Sequence, residues 1–236
     1  VGINGETYEN TKVIAMNTMA CYFYNWYLIE DRYDPGQQLD FIVKELDQLE
    51  KVGGKAILIS HVPPSSECVH EWGARFRAIT DRYQHVIRFS LYGHRHRVMY
   101  SVAKSFDNKN VGLDFLTGSV AMQPEAHPSF TLVEIDAELM IPVNFKVYIM
   151  DVEESNVKKS PVFRLQNDHL QMYGLEDVSP DSMYSLSEQI LADEETATLY
   201  LQNQYRQYGE EHTSCDEVCR RTLFCDTIST EVYQYE

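Results

Sequence analysis

Three histidines follow two predicted strands and have the residue type and spacing to bind a metal ion. His61 comes after the apolar run Ala56–Ile59, and His94 and His96 come after the apolar run 86–92. In open α/β sheets, ligands bind just beyond the carboxyl ends of the strands, so imidazoles at two such ends predict one shared metal site. Any one of them alone is more simply an ordinary structural histidine, but three in this arrangement favour metal ligation.

The spacing of His94 and His96 predicts how they share the site. In strand-like backbone, residues two apart face the same way, and Gly93 allows a tight turn where the strand ends. Both imidazoles are therefore expected to face one pair of adjacent ions, with Arg95 directed away from them. Histidine ligands suit zinc or another borderline transition metal better than calcium or magnesium.

The first histidine follows a predicted strand–helix–strand unit. Apolar runs predict strands over Lys12–Met16 and Lys55–Ser60. Helical spacing between them predicts a helix that Asp34 caps at its start, with Gln37 reaching back to complete a capping box. Such a unit implies parallel pairing of its strands, and the sequence therefore predicts an α/β fold.

The rest of the chain predicts further strands and then helices. Trp72–Tyr83 has helical periodicity, with Trp72 as its anchor in the core. Beyond the third histidine, period-2 runs predict antiparallel strands of a second sheet or of a sheet edge; they cover residues 98–103, 111–116, 130–135 and 145–149. From about residue 160 the pattern is helical, with helices that begin at Ser179 and cover Thr196–Tyr208.

The charge of the chain limits its partners. The formal net charge is −16, which argues against a nucleic acid polymer or an anionic membrane as an electrostatic partner. No apolar run reaches the roughly 18 residues that a transmembrane segment needs. We expect a globular monomer that acts on a small or lipid substrate.

The five cysteines point to an oxidising compartment. None of them forms the Cys-x-x-Cys pair of a zinc ribbon or a thioredoxin-like site, so disulfides in a secreted or lumenal protein are the better interpretation. The odd number leaves one thiol unpaired or bonded outside this chain. The cysteines lie at positions 21, 68, 215, 219 and 225.

The histidine motifs carry a family resemblance. His61-Val-Pro-Pro and Gly93-His-Arg-His are similar to the Gly-His-x-Pro-Pro and Gly-His-x-His blocks of calcineurin-like metallophosphoesterases. Within that superfamily, the chain resembles acid sphingomyelinase and the acid-sphingomyelinase-like phosphodiesterases from about Thr11 to Thr227. The other similar blocks are Asp34–Leu39, Phe115–Ser119, Pro128–Thr131, Glu134–Asp136, Met172–Leu175 and the Cys-x3-Cys-x5-Cys tail.

The resemblance implies a phosphodiesterase that uses two Zn²⁺ ions, in which His61 and His94 bind one zinc and His96 binds the other. It implies a four-layer metallophosphoesterase sandwich, of which residues 1–158 form the C-terminal part, with residues 159–236 as a helical C-terminal subdomain. It also implies a secreted, extracellular or lysosomal protein. The disulfides that it implies are Cys21–Cys68 and Cys215–Cys219, with Cys225 left over.

The chain lacks several motifs of the family it resembles. The blocks Asp-x-His, Gly-Asp and Gly-Asn-His-Glu/Asp do not occur in it. In the family, these blocks supply the carboxylates and the asparagine that hold the two metals, and a histidine that serves as a proton donor or phosphate contact. We therefore expect an incomplete segment that lacks the N-terminal half of the fold, carries no identifiable catalytic residue and is inactive alone.

Three interpretations of function remain open at this stage. The first is a metal-dependent hydrolase of a phosphodiester lipid such as sphingomyelin, and the second is a hydrolase of a nucleotide or another small phosphodiester. The third is a non-catalytic secreted pseudoenzyme or binding protein, which the retention of all three histidines disfavours. His127 is a candidate substrate contact, whereas Asp114 is expected at a solvated strand position and His169 on the surface or in a loop.

Overall fold

The computed structural model describes residues 2–3, 6–7, 10–65, 67–123, 126–206 and 212–230. Within these ranges the chain has a mixed α/β fold. Its strands are β1 (Gly2–Ile3), β2 (Glu6–Thr7), β3 (Thr11–Ala15), β4 (Lys55–Ile59), β5 (Ile87–Tyr92), β6 (Met99–Lys104), β7 (Asn110–Leu116), β8 (Ser129–Ile135), β9 (Pro142–Met150) and β10 (Phe163–Asp168). Its α-helices are α1 (Gln38–Lys51), α2 (His70–Arg82), α3 (Val152–Lys158), α4 (His169–Tyr173), α5 (Pro180–Ala192), α6 (Glu194–Gln204) and α7 (Glu217–Ile228).

A five-stranded sheet brings the histidine-bearing strand ends together. Its strand order is β3-β4-β5-β7-β6, and β3, β4 and β5 are parallel, as the strand–helix–strand unit predicted. Ala15 pairs with Ile59, and Ile59 pairs with Leu91, so the three strands end level with one another. The segments that follow β4 and β5 therefore leave the sheet side by side.

The other predicted strands divide between two sheets. β6 and β7 join the first sheet, and β7 runs parallel to β5 rather than antiparallel to it. β8, β9 and β10 form a separate antiparallel sheet in the order β10-β9-β8. β10 lies where the sequence predicted helix. Its first three residues are exposed and only Asn167 is buried, so pairing with β9 outweighs its weak local pattern.

The start of α1 differs from the predicted capping box. Asp34 does cap the helix, since its carboxylate accepts hydrogen bonds from the amides of Leu39 and Asp40. Gln37 makes no capping hydrogen bond, because it lies in the left-handed region with φ of 56°. Gly36, with φ of 72°, lies in the same region and allows the sharp bend between Asp34 and the helix.

Two apolar layers hold the parallel sheet. On one face, α1 and α2 pack against the sheet, and Trp72 is fully buried there, as predicted. On the other face, β8 and β9 together with the C-terminal helices cover the sheet. Phe115 of β7 stacks on Phe145 of β9 with ring centroids 4.0 Å apart. Both faces of the sheet are thus covered, which explains its nearly continuous apolar strands.

The C-terminal helices are joined to the sheet by polar contacts as well. The hydroxyl of Tyr100 donates to the carbonyl of Met183 in α5, and the hydroxyl of Ser101 donates to the carbonyl of Asp226 in α7. β10, which lies after the predicted boundary at 158, pairs with β9, which lies before it. That boundary stays a prediction.

Both disulfides implied by the family resemblance are formed. They join Cys21 to Cys68 and Cys215 to Cys219, and Cys225 is a free thiol. Among the helices in the ranges described above, none has the length and apolar character needed to cross a bilayer.

One histidine placed on the surface from the sequence is buried. His169 is only 1% exposed. Its ring packs edge-on against Phe115 and Phe145, and its Nδ1 bonds to the carbonyl of Phe145. Burial lowers the pKa of His169 to about 4. The prediction was wrong because the position begins a short helix, whose local pattern does not reveal that β7 and β9 enclose it.

Candidate metal-binding site

Two of the three predicted ligands face each other. Nε2 of His61 lies 3.2 Å from Nδ1 of His94, and the two rings meet edge-on at 5.0 Å. Gly93 lies beneath them, and its amide donates to the carbonyl of His61. Partial burial is the main cause that lowers the pKa of His61, followed by the nearby charges of His94 and His96. A lowered pKa keeps the imidazole neutral, the form that binds a metal.

Glu67 holds the far side of the His94 ring. Its Oε2 lies 2.5 Å from Nε2 of His94, and its Oε1 lies 2.8 Å from Nε of Arg95. A ring that donates from Nε2 keeps its lone pair at Nδ1, the nitrogen that faces His61. Carboxylates commonly hold the second nitrogen of a metal-binding histidine in this way. Arg95 therefore does not point away from the site. It pairs with Glu67, the same carboxylate that contacts His94.

The backbone of the Gly93–Arg97 loop is not strand-like. β5 ends at Tyr92, and His94 and His96 have φ of 68° and 54°. Both lie in the left-handed region, which L-residues adopt at a cost of about 1 kcal/mol or more. The strand-like backbone expected at these two residues is therefore wrong, whereas the direction of their rings toward one pair of ions stays a prediction.

His96 binds a different partner from His94. Its Nδ1 donates to the carbonyl oxygen of Gln123 at 2.6 Å. This hydrogen bond leaves the lone pair of His96 at Nε2, so the ring keeps one nitrogen for a ligand. His96 is not hydrogen-bonded to His61 or His94 in the contacts described, and its assignment to a second ion stays a prediction.

The donor set fits half of a zinc site. Two nitrogens bound at about 2.0–2.1 Å to a tetrahedral zinc lie about 3.3 Å apart, close to the 3.2 Å between His61 and His94. A third donor is missing nearby: in the part of the chain that the structure describes, no group of three or more His, Cys, Asp or Glu side chains is arranged to hold a metal. His61 and His94 thus fit as two ligands of an ion that needs further donors.

The Cys21–Cys68 disulfide supports this arrangement. It joins the segment after β3 to the loop before α2, and Tyr22 forms an isolated backbone bridge with Cys68. The ring of Tyr22 packs edge-on against His94 at 4.9 Å. Glu67, next to Cys68, binds the same imidazole from another direction. Glu67 and Tyr22 could not be recognised from the sequence, because neither has a characteristic spacing from the histidines.

His127 lies in a separate loop and is partly buried. Its Nδ1 accepts a long hydrogen bond of 3.5 Å from the amide of Val152. Burial is the main cause that lowers its pKa, although Asp151 and Glu153 raise it. The carbonyl of His127 accepts a hydrogen bond from Arg206, whose second donor reaches the carbonyl of His96. The role of His127 as a substrate contact stays a prediction.

Asp114 is buried rather than solvated. It is 8% exposed, and its neighbours β5 and β6 cover it on both sides. A small cavity next to it is lined by Pro64, Arg95, Ser229 and others. Burial raises the pKa of Asp114 to about 7. The period-2 pattern predicted a solvent-exposed face of the strand, but the C-terminal segment covers that face of the sheet.

An aromatic ridge extends from Tyr22 into solvent. The ridge follows β3 and has large apolar side chains that are between about half and four-fifths exposed. Its residues are Phe23 (47%), Tyr24 (64%), Trp26 (81%), Tyr27 (59%) and Ile29 (74%). The rings of Phe23 and Tyr24 both contact Tyr22, which itself packs on His94. The ridge is therefore continuous with the histidine pair.

The sequence matches a known family over its second half. Residues 115–236 match the acid sphingomyelin phosphodiesterase C-terminal region. Among curated proteins, the chain is 26% identical to sphingomyelin phosphodiesterase 1 of Caenorhabditis elegans over 92% of the chain and 39% of the relative. It is 23% identical to sphingomyelin phosphodiesterase of Homo sapiens over 94% of the chain and 36% of the relative.

A further relative has a different named substrate. The chain is 23% identical to a cyclic GMP-AMP phosphodiesterase of Homo sapiens, over 97% of the chain and 53% of that protein. The chain thus spans 36% to 53% of the length of these three relatives.

Proposed function

Because this chain belongs to the acid sphingomyelinase family, whose C-terminal region it matches over residues 115–236, we propose that it is part of a metal-dependent phosphodiester hydrolase. The observation that carries the proposal is the 3.2 Å approach of His61 Nε2 to His94 Nδ1. Two imidazoles at the ends of adjacent parallel strands, one oriented by Glu67, are suited to bind zinc.

The three histidines would bind two different metal ions. His61 and His94 would bind one Zn²⁺, and His96 would bind the second through its free Nε2. When bound, two zinc ions activate a water for in-line attack on phosphorus and offset charge on the phosphoryl oxygens. Glu67 fixes the tautomer of His94, and Gln123 fixes that of His96 through its carbonyl. His127 would contact the substrate from the neighbouring loop.

The donors among the described residues are insufficient for the reaction. A bridged pair of ions needs carboxylate or amide oxygens as well as imidazoles, and the described residues offer no such cluster. The 236-residue chain alone should therefore not hydrolyse phosphodiesters. In the complete site, other parts of a four-layer sandwich would supply the missing ligands, with residues 1–158 as its C-terminal part and residues 159–236 as its helical subdomain.

The aromatic ridge supports a lipid substrate over a soluble nucleotide. Tyrosine and tryptophan are the side chains that favour the boundary between water and lipid. The ridge lies beside the histidine pair, so a phosphodiester at a membrane surface could reach the metals. There is no lysine or arginine from Val13 to Asp31, and the surface would therefore be zwitterionic, as with phosphocholine lipids. The two disulfides support a secreted or lysosomal location.

Metal binding by the chain can be tested without any activity. We expect Co²⁺ to bind with an absorption band that is lost in His61→Ala and in His94→Ala. His85→Ala is the matched control, since His85 is an exposed histidine that pairs with Glu50 elsewhere. A spectrum that both site variants leave unchanged would contradict the proposed ligands.

Hydrolysis can be tested in a chimera that places a relative's Asp-x-His and Gly-Asn-His blocks ahead of this chain. We expect turnover of bis-p-nitrophenyl phosphate and of sphingomyelin in vesicles, abolished by a chelator and by His94→Ala. Turnover that is insensitive to the chelator would contradict the metal mechanism. Turnover of cyclic dinucleotides but not of sphingomyelin would contradict the lipid substrate alone.

A further inference from the structure

Arg206 is a buried arginine that joins two loops of the candidate site. Its Nη1 donates to the carbonyl oxygen of His96, and its Nε donates to the carbonyl oxygen of His127. Its exposed fraction is 0%. Arg206 follows α6 and lies 110 residues from His96 and 79 residues from His127 in the chain. The helical tail thus reaches the backbone of both loops through one guanidinium.

The space around the guanidinium is shaped for it. A β-carbon at Gly118 would lie 3.1 Å from both Cδ and Nη1 of Arg206 and would collide with Oγ of Ser129. Glycine therefore leaves the room that the arginine fills. Nη2 of Arg206 and Oγ of Ser129 have no hydrogen-bond partner among the described residues. The two backbone carbonyls are the acceptors that offset the burial of this charge.

The end of α6 is also fixed to the first of these loops. The amide of Val98 donates to the carbonyl of Gln204 at 3.3 Å, and the guanidinium of Arg97 lies 4.3 Å from the centre of the Tyr205 ring. Arg206 itself has φ of 55°. This left-handed backbone turns the chain out of the helix and directs the side chain inward.

We propose that Arg206 is a positioning residue that sets the separation between the loops of His96 and His127. It acts through their carbonyl oxygens and does not touch the metal or the substrate. Planar guanidinium donors point in fixed, different directions, so one side chain can hold two acceptors at once, whereas a lysine ammonium acts as a point donor. The catalytic importance of the two loops rests on the proposed function, but their coupling through Arg206 does not.

Hydrogen exchange of the 236-residue chain tests the coupling. In Arg206→Lys, the positive charge remains but the two carbonyls are no longer held together. Because hydrogen bonds to charged groups are the stronger ones, we expect amide exchange to accelerate about tenfold or more in residues 93–98 and in residues 126–132, both together. Amides in α1 and β4 should exchange as in the wild type.

Arg220→Lys is the matched control. Arg220 also bridges two backbone carbonyls, those of Leu191 and Cys215, but within the helical tail. It should leave exchange in both site loops unchanged. The inference is overturned if Arg206→Lys accelerates amide exchange in neither loop or in one loop alone. It is also overturned if Arg220→Lys accelerates exchange in both loops to the same extent.

Gly118→Ala keeps the result interpretable if Arg206→Lys fails to fold. It retains the arginine but fills the space next to its guanidinium, and it should accelerate amide exchange in the same two loops. In either variant, the carbonyl ¹³C resonances of His96 and His127 should shift together, a change that general destabilisation does not select. Unshifted resonances would overturn the inference. A wild-type chain that does not bind Zn²⁺ would contradict the proposed function and leave the exchange result standing.

Discussion

Nε2 of His94 lies 2.5 Å from Oε2 of Glu67, and this pairing directs Nδ1 of the same ring toward His61. Glu67 belongs to the loop before α2, which the Cys21–Cys68 disulfide joins to the segment after β3. The orientation of the imidazole is therefore set by parts of the chain outside the histidine motifs.

Replacing Glu67 should weaken metal binding without removing a ligand. Glu67→Gln keeps the size of the side chain but loses its charge, so the hydrogen bond that orients His94 becomes weaker. We expect Zn²⁺ affinity to fall about 10- to 100-fold, measured by competition with a chromophoric chelator. The control is Glu134→Gln, since Glu134 pairs with Lys146 on the second sheet. Equal affinities for both variants would exclude a role for Glu67.

The two disulfides should contribute unequally to stability. Cys21 and Cys68 are 47 residues apart, whereas Cys215 and Cys219 are 4 apart. In the loop-entropy description, the longer loop is worth about 4 kcal/mol and the shorter one about 2 kcal/mol. We expect the corresponding double serine variants to lose free energy of unfolding in that order, as measured by guanidinium denaturation. A larger loss for the short loop would contradict the expectation.

Asp114 should make the chain less stable as pH rises. Burial raises its pKa to about 7 in the folded state, above its ordinary value of about 4 in the unfolded state. Between these values the folded chain binds more protons, so the free energy of unfolding falls with increasing pH, by at most about 1.4 kcal/mol per unit. The free energy of unfolding of Asp114→Asn should therefore rise relative to that of the wild type as the pH increases from 4 to 7.

Two variants check the sign of this effect. Asp107→Asn, which makes the same substitution at an exposed carboxylate, is the matched control. Burial lowers the pKa of His169 to about 4, so His169 makes the wild type less stable as the pH falls from 6.5 toward 4. The free energy of unfolding of His169→Gln should therefore rise relative to that of the wild type as the pH decreases, which is the opposite of the trend for Asp114→Asn. A stability difference for Asp114→Asn that stays constant over this range would show that Asp114 does not titrate as described.

Vesicle binding can be followed through a single tryptophan. Trp26 is 81% exposed, whereas Trp72 is fully buried, so a blue shift of fluorescence on adding phosphatidylcholine vesicles reports Trp26. We expect this shift, and we expect Trp26→Ala to weaken vesicle binding about tenfold in flotation assays, because a buried aromatic side chain is lost. Phe163→Ala, which removes an exposed aromatic from β10, should bind as the wild type. Wild-type fluorescence that vesicles leave unchanged would contradict docking through the ridge.

Local sequence patterns predicted the parts of the site that depend on strand order. Alternation of strands and a helix was sufficient to predict the parallel β3–β4 pairing, and strand ends that lie level bring His61 close to His94. The class of fold and the family resemblance also followed from the sequence. These features could be predicted because they depend on residues close together in the chain, where periodicity, turns and motifs carry the information.

Only the tertiary structure decided which atoms meet. Glu67 contacts His94 across 27 residues and Arg206 contacts His96 across 110, and no local pattern encodes either contact. The left-handed backbone at His94 and His96 replaced the extended one expected from their spacing. Packing against segments distant in the chain also buries Asp114 and His169. The sequence determined the type of site and its strands, whereas packing determined the orientation and the ionisation of its groups.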